Sequence, residues 1–519
     1  MENLRKYFFY IALFAVTAYL AVLDLGADND IWHRMAVGSI YFQIGSVLRH
    51  DIFSYLSYKE LWIDHEWGTG VLFYFLTHYL GDIGLIGMKI LVLFFIILLI
   101  FLTNRLIAAD KNPYRIIYYS VAAFAIVPGV VSNLRCQSVT YLLFTLWIYL
   151  LERVRKGENR LIWTFPATML LWVNMHGGFV SGFGLLLIFI IGEFLNKKNP
   201  FKFISILALC LPVTLINPYG IKFLSYMSEA VTMSRPYITE WAPLNLINPI
   251  NDWIGFKIIL IITLIGYFNK YFILKDRKTD FVALIMLGFT LYLSLKHTRH
   301  NIFFVISASI YAYKYFYDAV SPVYNLIMSK VRQKFSDEKL DSLRLARESF
   351  IYMLVMLACT HIFLTKPMII DLGSNIPSAK AIEFIKINNL RGNLLAPFNW
   401  GSYAMWKLYP QCLISVDGRY EEAYTNEVYL DVCNFTFAQK NWQDVLRKYH
   451  NDIILVESTT ETFKRMKSLR RWKLVYQDKD AAVFLPAGYK AKEFLMPDRD
   501  KKYESEKYIS GLNGLFSSK

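Results

Sequence analysis

The chain has 519 residues, 55% of them hydrophobic and only 19% charged, with a mean hydropathy of +0.33, a balance that excludes an ordinary soluble domain. Its formal charge of +15 would suit a nucleic-acid partner, but the Lys and Arg residues gather in short blocks between apolar runs, which excludes that class and fits a chain oriented in a lipid bilayer. Aromatics reach 17%, with 35 Tyr and 12 Trp, a composition suited to rings lying at headgroup depth.

The first apolar run, 7–23, follows Arg5 and Lys6 and lacks a small-residue cleavage site, so it reads as an anchor. Further runs at 84–103, 116–134, 138–151, 161–174, 178–194, 203–217, 254–272, 280–295, 302–318 and 350–366 bring the expected spans to about eleven. The run 68–80 is too short to span and reads as an interfacial or half-inserted helix. With a cytoplasmic N-terminus, every strong basic block falls on the cytoplasmic side: Arg105, Lys111 and Arg115; Arg153, Arg155, Lys156 and Arg160; Lys197, Lys198 and Lys202; Lys275, Arg277 and Lys278; and the tract from Lys330 to Arg347. The expected location is therefore the cytoplasmic (inner) membrane, multi-pass. Residues 1–366 form the transmembrane domain with a first external loop at 24–68, and 367–488 form an extracytoplasmic α/β domain. A charged tail follows at 489–519. In the α/β domain NIPSAKAIEFIKINN has helical periodicity, while GNLLAP, CLISV, NDIILVE, KLVYQ and AAVFLP read as short strands of a mostly parallel sheet. Cys136, Cys210 and Cys359 show no metal-ligand spacing; Cys412 and Cys433 share the external domain, where a disulfide and two buried thiols are both open.

On this topology the polar clusters collect outside. The first loop carries Asp28-Asn29-Asp30 and Asp64-His65-Glu66. Later loops carry Asn133, Arg135 and Gln137; Asn174 and His176 before Gly177-Gly178; Asn217-Pro218-Tyr219-Gly220, Arg235 and Glu240-Trp241; and Lys296, His297, Arg299 and His300. Each has a plainer alternative. Asp30 fits as the cap of a helix starting at Ile31, and Asp64 as the cap of one near Gly68; Asp28 is then left over. His65-Glu66 beside Trp67 also fits an interfacial anchor, and His176 a close helix packing through the glycines. Pro218 and Gly220 read as a helix end. Arg135 and Arg299 outside the membrane run against the orientation rule, which favours a functional role. An Asp-x-Asp in an extended loop places two carboxylates on one side, suited to Mg²⁺ or Mn²⁺, the cofactor expected at Asp28 and Asp30. Acids together with external Arg and His at the lipid boundary suit sugar transfer from a polyprenyl phosphate: the cations stabilise the leaving phosphate and a carboxylate takes the acceptor's proton.

The segment from Asp28 through Trp67, with the apolar helix after it, resembles the first external loop of GT-C superfamily glycosyltransferases, a group that includes protein O-mannosyltransferases and the lipid A aminoarabinose transferase. HEW (65–67), RCQ (135–137), NMHGGF (174–179), NPYG (217–220), EW (240–241), RH (299–300), NWGSY (399–403) and DGR (417–419) extend the resemblance over most of the chain, to an uncharacterised bacterial branch of that superfamily. It implies a GT-C-like helical bundle and an inverting transfer from a polyprenyl-phosphate sugar to an extracytoplasmic glycan, lipid or protein acceptor. Asp28 or Asp30 matches the base, and Glu66 serves as a second acid. His65, Arg135, Gln137, His176, Glu240, Arg299, His300, Asn399, Asp417 and Arg419 are then the expected substrate-binding residues. The chain departs from the usual Asp-Glu pair, with Asn29 between two aspartates, and has Cys136 where relatives commonly carry Pro. A transporter or flippase for a lipid-linked saccharide, and a non-catalytic scaffold of cell-envelope assembly, are the alternatives; nearly charge-free span centres weigh against the transporter.

Overall fold

The apolar runs fold as helices, which satisfy their backbone N–H and C=O groups within each segment. The computed structural model describes residues 2–26, 28–56, 59–108, 115–132, 134–232, 239–247, 253–332, 337–366, 368–370, 376–489 and 494–497. Lys111, Asn133, Arg235 and nearly all of the charged tail lie outside the described residues. Two compact units are distinguished: Met1–Leu25, Ile86–Asn217 and Thr232–Met368 in the first; Gly26–Leu85, Pro218–Val231 and Ile369–Lys519 in the second.

The first unit is helical. Among the described residues three helices are long and apolar enough to cross a membrane, Asp82–Ala108 (which starts in the second unit), Gly177–Leu195 and Ile254–Ile273. Five shorter apolar helices accompany them: Tyr7–Leu23, Arg115–Val130, Phe201–Val213, Phe281–Lys296 and Ser349–Thr365. The other expected spans fold as Gln137–Arg155, Thr164–Met175 and Asn301–Tyr311. At about 1.5 Å per residue, 11 or 12 residues reach less than 20 Å of a core about 30 Å thick, so helix length alone does not carry an eleven-span count. The expected span 302–318 is interrupted at Ala312, after which the chain resumes as Tyr313–Arg332. Arg155, expected as an orienting charge, is tied down by Asp280 at 2.7 Å and Glu193 at 2.9 Å.

The second unit is an α/β body. All five expected strands form: β1 (Gly392–Leu395), β2 (Cys412–Ile414), β3 (Ile453–Glu457), β4 (Trp472–Gln477) and β5 (Ala481–Pro486). The order is β2-β1-β3-β5-β4, with β2, β1 and β3 parallel and β5 antiparallel to both its neighbours. The sheet is thus mixed rather than mostly parallel, because the short link from β4 to β5 permits only a hairpin. The first external loop, expected to belong to the transmembrane domain, groups with this body. Its residues 53–55 add to the free edge of β2, Tyr55 N–H donating to the Ile414 carbonyl (3.1 Å) and Ile414 N–H to that of Phe53 (3.0 Å). Leu56 enters the core beside Val416, Val432, Phe435, Val456 and Phe484. The run 68–80 is the helix Trp67–Leu80, with Phe75, Tyr79 and Leu80 exposed. None of the five cysteines is in a disulfide, so Cys412 and Cys433 are thiols.

Candidate functional site

Two groups of polar residues are built by the two units, and each is described within its own.

In the second unit the site starts at the N-terminus of the loop helix Asp30–Ile44. Asp28 Oδ1 accepts the Asp30 N–H at 2.9 Å, and the Asp28 carbonyl accepts that of Ile31 at 3.2 Å. Asp28 therefore closes the turn, and Asp30 is the first helical residue rather than its cap, an acid where the helix dipole favours one. The two aspartates do not share one side of an extended segment, which corrects the geometry expected for a metal pair.

One turn on, the helix buries His33 and Arg34. Arg34 Nη1 donates to Asp64 Oδ1 (2.5 Å), while Nη2 reaches Glu422 Oε1 and Glu66 Oε2, each at 2.7 Å. His65 Nδ1 lies 2.9 Å from Glu422 Oε1 and 3.3 Å from the Tyr226 hydroxyl, and Trp62 Nε1 donates to Glu422 Oε2 at 3.2 Å. Asp64 does not cap the following helix; its Oδ1 takes the Glu66 N–H at 2.9 Å, while Tyr219 Oη takes its own N–H at 3.1 Å. Three carboxylates thus crowd one guanidinium. Burial, aided by nearby Glu422, lifts the Asp64 carboxyl to about 6 against the pull of Arg34. Burial also pushes Glu422 up, but Arg34 and His65 outweigh it and hold that carboxyl well below its ordinary range. For His65, burial works downward and Glu422 and Glu66 prevail, raising it above 6.5. Among the described residues Asp64 Oδ2 and His33 Nε2 are buried without hydrogen-bond partners.

The C-terminal motifs close around the same helix. A Cβ on Gly401 would meet the Val416 carbonyl oxygen at 1.9 Å, and one on Gly418 would meet Asp30 Oδ1 at 2.4 Å, so glycine at both positions lets NWGSY and DGR lie against each other and against Asp30. Ser402 Oγ accepts the Gly418 N–H and pairs with His33 Nδ1, both at 3.1 Å. Burial, with Arg34 beside it, lowers the His33 imidazole to about 3, so it is neutral at physiological pH. Asp417 and Arg419, expected to touch substrate, are instead internal. Arg419 is 1% exposed and clamps Asp417 through Nε (2.9 Å) and Nη2 (2.6 Å) and Asp51 through Nη1 (2.7 Å). Its guanidinium also lies 4.8 Å from the Trp62 ring centre. It fastens the first loop to the DGR turn. Asn399, second in the helix Phe398–Leu408, is exposed.

In the first unit, Arg135 Nη1 is in close contact with Glu240 Oε1. Glu240 and Trp241 are pinned to the 297–300 turn: the Thr298 hydroxyl donates to the Glu240 carbonyl (3.0 Å), Thr298 N–H to that of Ala242 (3.1 Å), and His297 Nδ1 lies 2.6 Å from the Trp241 carbonyl. Arg299 lies 5.6 Å from the Trp241 ring centre. Burial raises the Glu240 carboxyl, but Arg135 and Arg299 prevail and lower it. Burial and Arg299 lower His300 to about 4. Gln137 begins the helix Gln137–Arg155 and is buried. His176, expected to bind substrate, spends Nδ1 on the Gly178 N–H and on Thr140 Oγ1, both at 2.8 Å, where it caps a turn between helices. That is the packing role open to it from the sequence.

Sequence reasoning missed Glu422, His33, Arg34 and Asp51. Glu422 follows DGR within a helical turn, and Arg34 sits four residues after Asp30; neither has a motif of its own. For a divalent cation the donor set that fits is His65, Glu66 and Glu422, whose ligand atoms lie within 4.8 Å of one another. This mix of nitrogen and oxygen donors suits Zn²⁺ or Mn²⁺ better than Mg²⁺, and the Asp28/Asp30 pair fits less well because Asp28 Oδ1 already serves the turn.

No family model matches the chain, and no curated protein matches its sequence. Among solved structures it is similar to the archaeal oligosaccharyltransferase AglB from Archaeoglobus fulgidus, determined in complex with an inhibitory peptide and a dolichol-phosphate. The likeness has a TM-score of 0.54 and covers 87% of this chain and 70% of that chain at 11% identity. At that identity it is a likeness of fold, and fold alone does not carry an activity.

Proposed function

We propose that the chain is a GT-C-type membrane glycosyltransferase that moves a sugar from a polyprenyl-phosphate donor to an extracytoplasmic acceptor with inversion. The observation that carries this reading is the acid-rich centre of the second unit, where Asp64, Glu66 and Glu422 surround Arg34 next to Asp28 and Asp30. A fold needs no such excess of buried negative charge, and buried charge left over from packing is a mark of a chemical site. The fold likeness to AglB, a protein seen with a dolichol-phosphate and a peptide, supports a lipid-linked donor.

In the proposed step Asp28 or Asp30 takes the proton of the acceptor hydroxyl. The oxygen attacks the anomeric carbon, the bond from that carbon to the phosphate oxygen breaks, and the polyprenyl phosphate leaves with the electron pair. The expected phosphate binders Arg135 and Arg299 have the charge suited to such a leaving group. His33, neutral and hydrogen-bonded to Ser402, helps to hold the Asp30 turn against Gly418. A divalent cation, when bound by His65, Glu66 and Glu422, supplies further positive charge. The spacing of the basic blocks supports a cytoplasmic N-terminus and about eleven spans, with residues 367–488 outside.

The test is donor consumption by purified protein in lipid, with a panel of polyprenyl-phosphate sugars, cell-envelope acceptors and divalent metal. Wild type should consume at least one donor, and Asp28→Asn or Asp30→Asn should lose turnover by about 100-fold or more while staying folded. No consumption across the panel, or full turnover in both variants, would overturn the assignment. A scaffold would complement a deletion strain with either variant.

A further inference from the structure

Arg135 and Arg299 each stand just ahead of a helix, Gln137–Arg155 and Asn301–Tyr311, so two helix N-termini add their positive ends to two guanidinium groups. The acid held among them is Glu240, in direct contact with Arg135 and drawn down by both arginines. The ion pair is partly open, with side chains 23% and 26% exposed. Its main chain is fixed to the 297–300 turn by the Thr298 and His297 contacts, so the carboxylate can swing away by side-chain rotation while the backbone stays in place.

We propose that the Glu240 carboxylate is a resident competitor in an anion site on Arg135 and Arg299, and that a phosphate ester headgroup displaces it there. This rests on the proposed function and deepens it by naming which anion the site takes and what holds the site before that anion arrives. A partly exposed ion pair is worth little, whereas a phosphate offers more acceptor oxygens and, once the sugar has left, a second negative charge. The competitor is therefore weakest against the species formed when the donor's bond has broken, which favours transfer over idle donor binding.

The test uses the full-length protein in neutral-lipid nanodiscs, titrated by calorimetry with farnesyl phosphate and, separately, with inorganic phosphate. Glu240→Gln should tighten farnesyl phosphate binding by about tenfold or more, and Arg135→Met placed on top of it should remove the gain. Inorganic phosphate showing the same gain assigns the site to phosphate chemistry at large; a gain confined to farnesyl phosphate assigns it to the lipid-borne headgroup. Thermal melts of each variant guard against misfolding. If Glu240→Gln binds farnesyl phosphate no more tightly than wild type while Arg299→Met abolishes binding, the competitor role fails and the donor reading stands. If no variant binds and wild type turns over no polyprenyl-phosphate sugar, both fail.

Discussion

Replacing Arg419 by Met tests whether the DGR motif fastens the first loop or serves substrate. Arg419 and Asp417 have no exposed side-chain surface and Asp51 has 1%, so the substitution strands two carboxylates away from water. Breaking such a buried pair costs about 3–5 kcal/mol, and losing the contact with the Trp62 ring adds on the order of 0.5–2 kcal/mol. For a unit of roughly 200 residues this lowers the melting midpoint by about 7–28 °C, read by thermal unfolding or by the onset of proteolysis in the 51–62 segment. Adding Asp51→Asn and Asp417→Asn should recover much of the loss, because no unpaired charge then remains buried. The sign with pH is also fixed. In wild type Arg419 holds Asp417 below its ordinary value despite burial, so this contribution is present above the unfolded carboxyl value and is lost as pH falls through the lowered one. In the single variant the stranded carboxylates rise instead, so the deficit is smaller at pH 5 than at pH 8. A midpoint within about 2 °C of wild type would refute the account and return Arg419 to the substrate-binding residues.

Two further outcomes follow from the same unit. His65 is raised above 6.5 and Asp64 to about 6, and for both the stabilising contribution is full at low pH and lost as pH rises through the raised value. The midpoint should therefore fall as pH rises, the Asp64 part from the ordinary carboxylate range up to about 6 and the His65 part from 6.5 upward, with a smaller fall above 6.5 in His65→Gln; a flat profile in wild type would contradict the arrangement around Glu422. In Gly418→Ala the new methyl would meet Asp30 Oδ1 at 2.4 Å and Ser402 Oγ at 3.2 Å, so Asp30 has to move. A cost of about 1–3 kcal/mol in stability is expected, with a loss of donor turnover larger than the melting shift accounts for.

What could be read from the sequence divides along a physical line. Apolar periodicity located most of the apolar helices and all five strands, because both signals are local, but not the helix Tyr313–Arg332, most of which lies beyond the expected span 302–318. It failed on the sheet's direction and on the partner of the first loop, since strand addition at β2 depends on backbone groups that any side chain could carry. The short motifs marked places rather than roles. NWGSY and DGR do come together with the Asp28–Asp30 turn, but through Gly401 and Gly418 rather than through Asn399 or Arg419. His176 looked chemical because it fell among the outside polar clusters, while the glycines after it offered the plainer packing reading: the Gly178 N–H needs an acceptor at the helix break.

The two arginine centres of the second unit separate fastening from chemistry. Around Arg419 the acids are satisfied: Asp417 takes Arg419 and the Tyr424 hydroxyl, and Asp51 takes Arg419, the Phe53 N–H and the Ser54 hydroxyl. Around Arg34 the balance is different. Three carboxylates share one guanidinium, an imidazole is drawn in between two of them, and Asp64 Oδ2 has no partner among the described residues. A buried acceptor left unmet costs about 1–3 kcal/mol, which packing alone would remove by Asp64→Asn or a nearby hydroxyl. That cost is tolerable where the missing positive charge or proton arrives with a ligand. Arg34 and its acids, rather than the better-paired Arg419, are thus where a cation or an acceptor hydroxyl would find an energetic reason to bind.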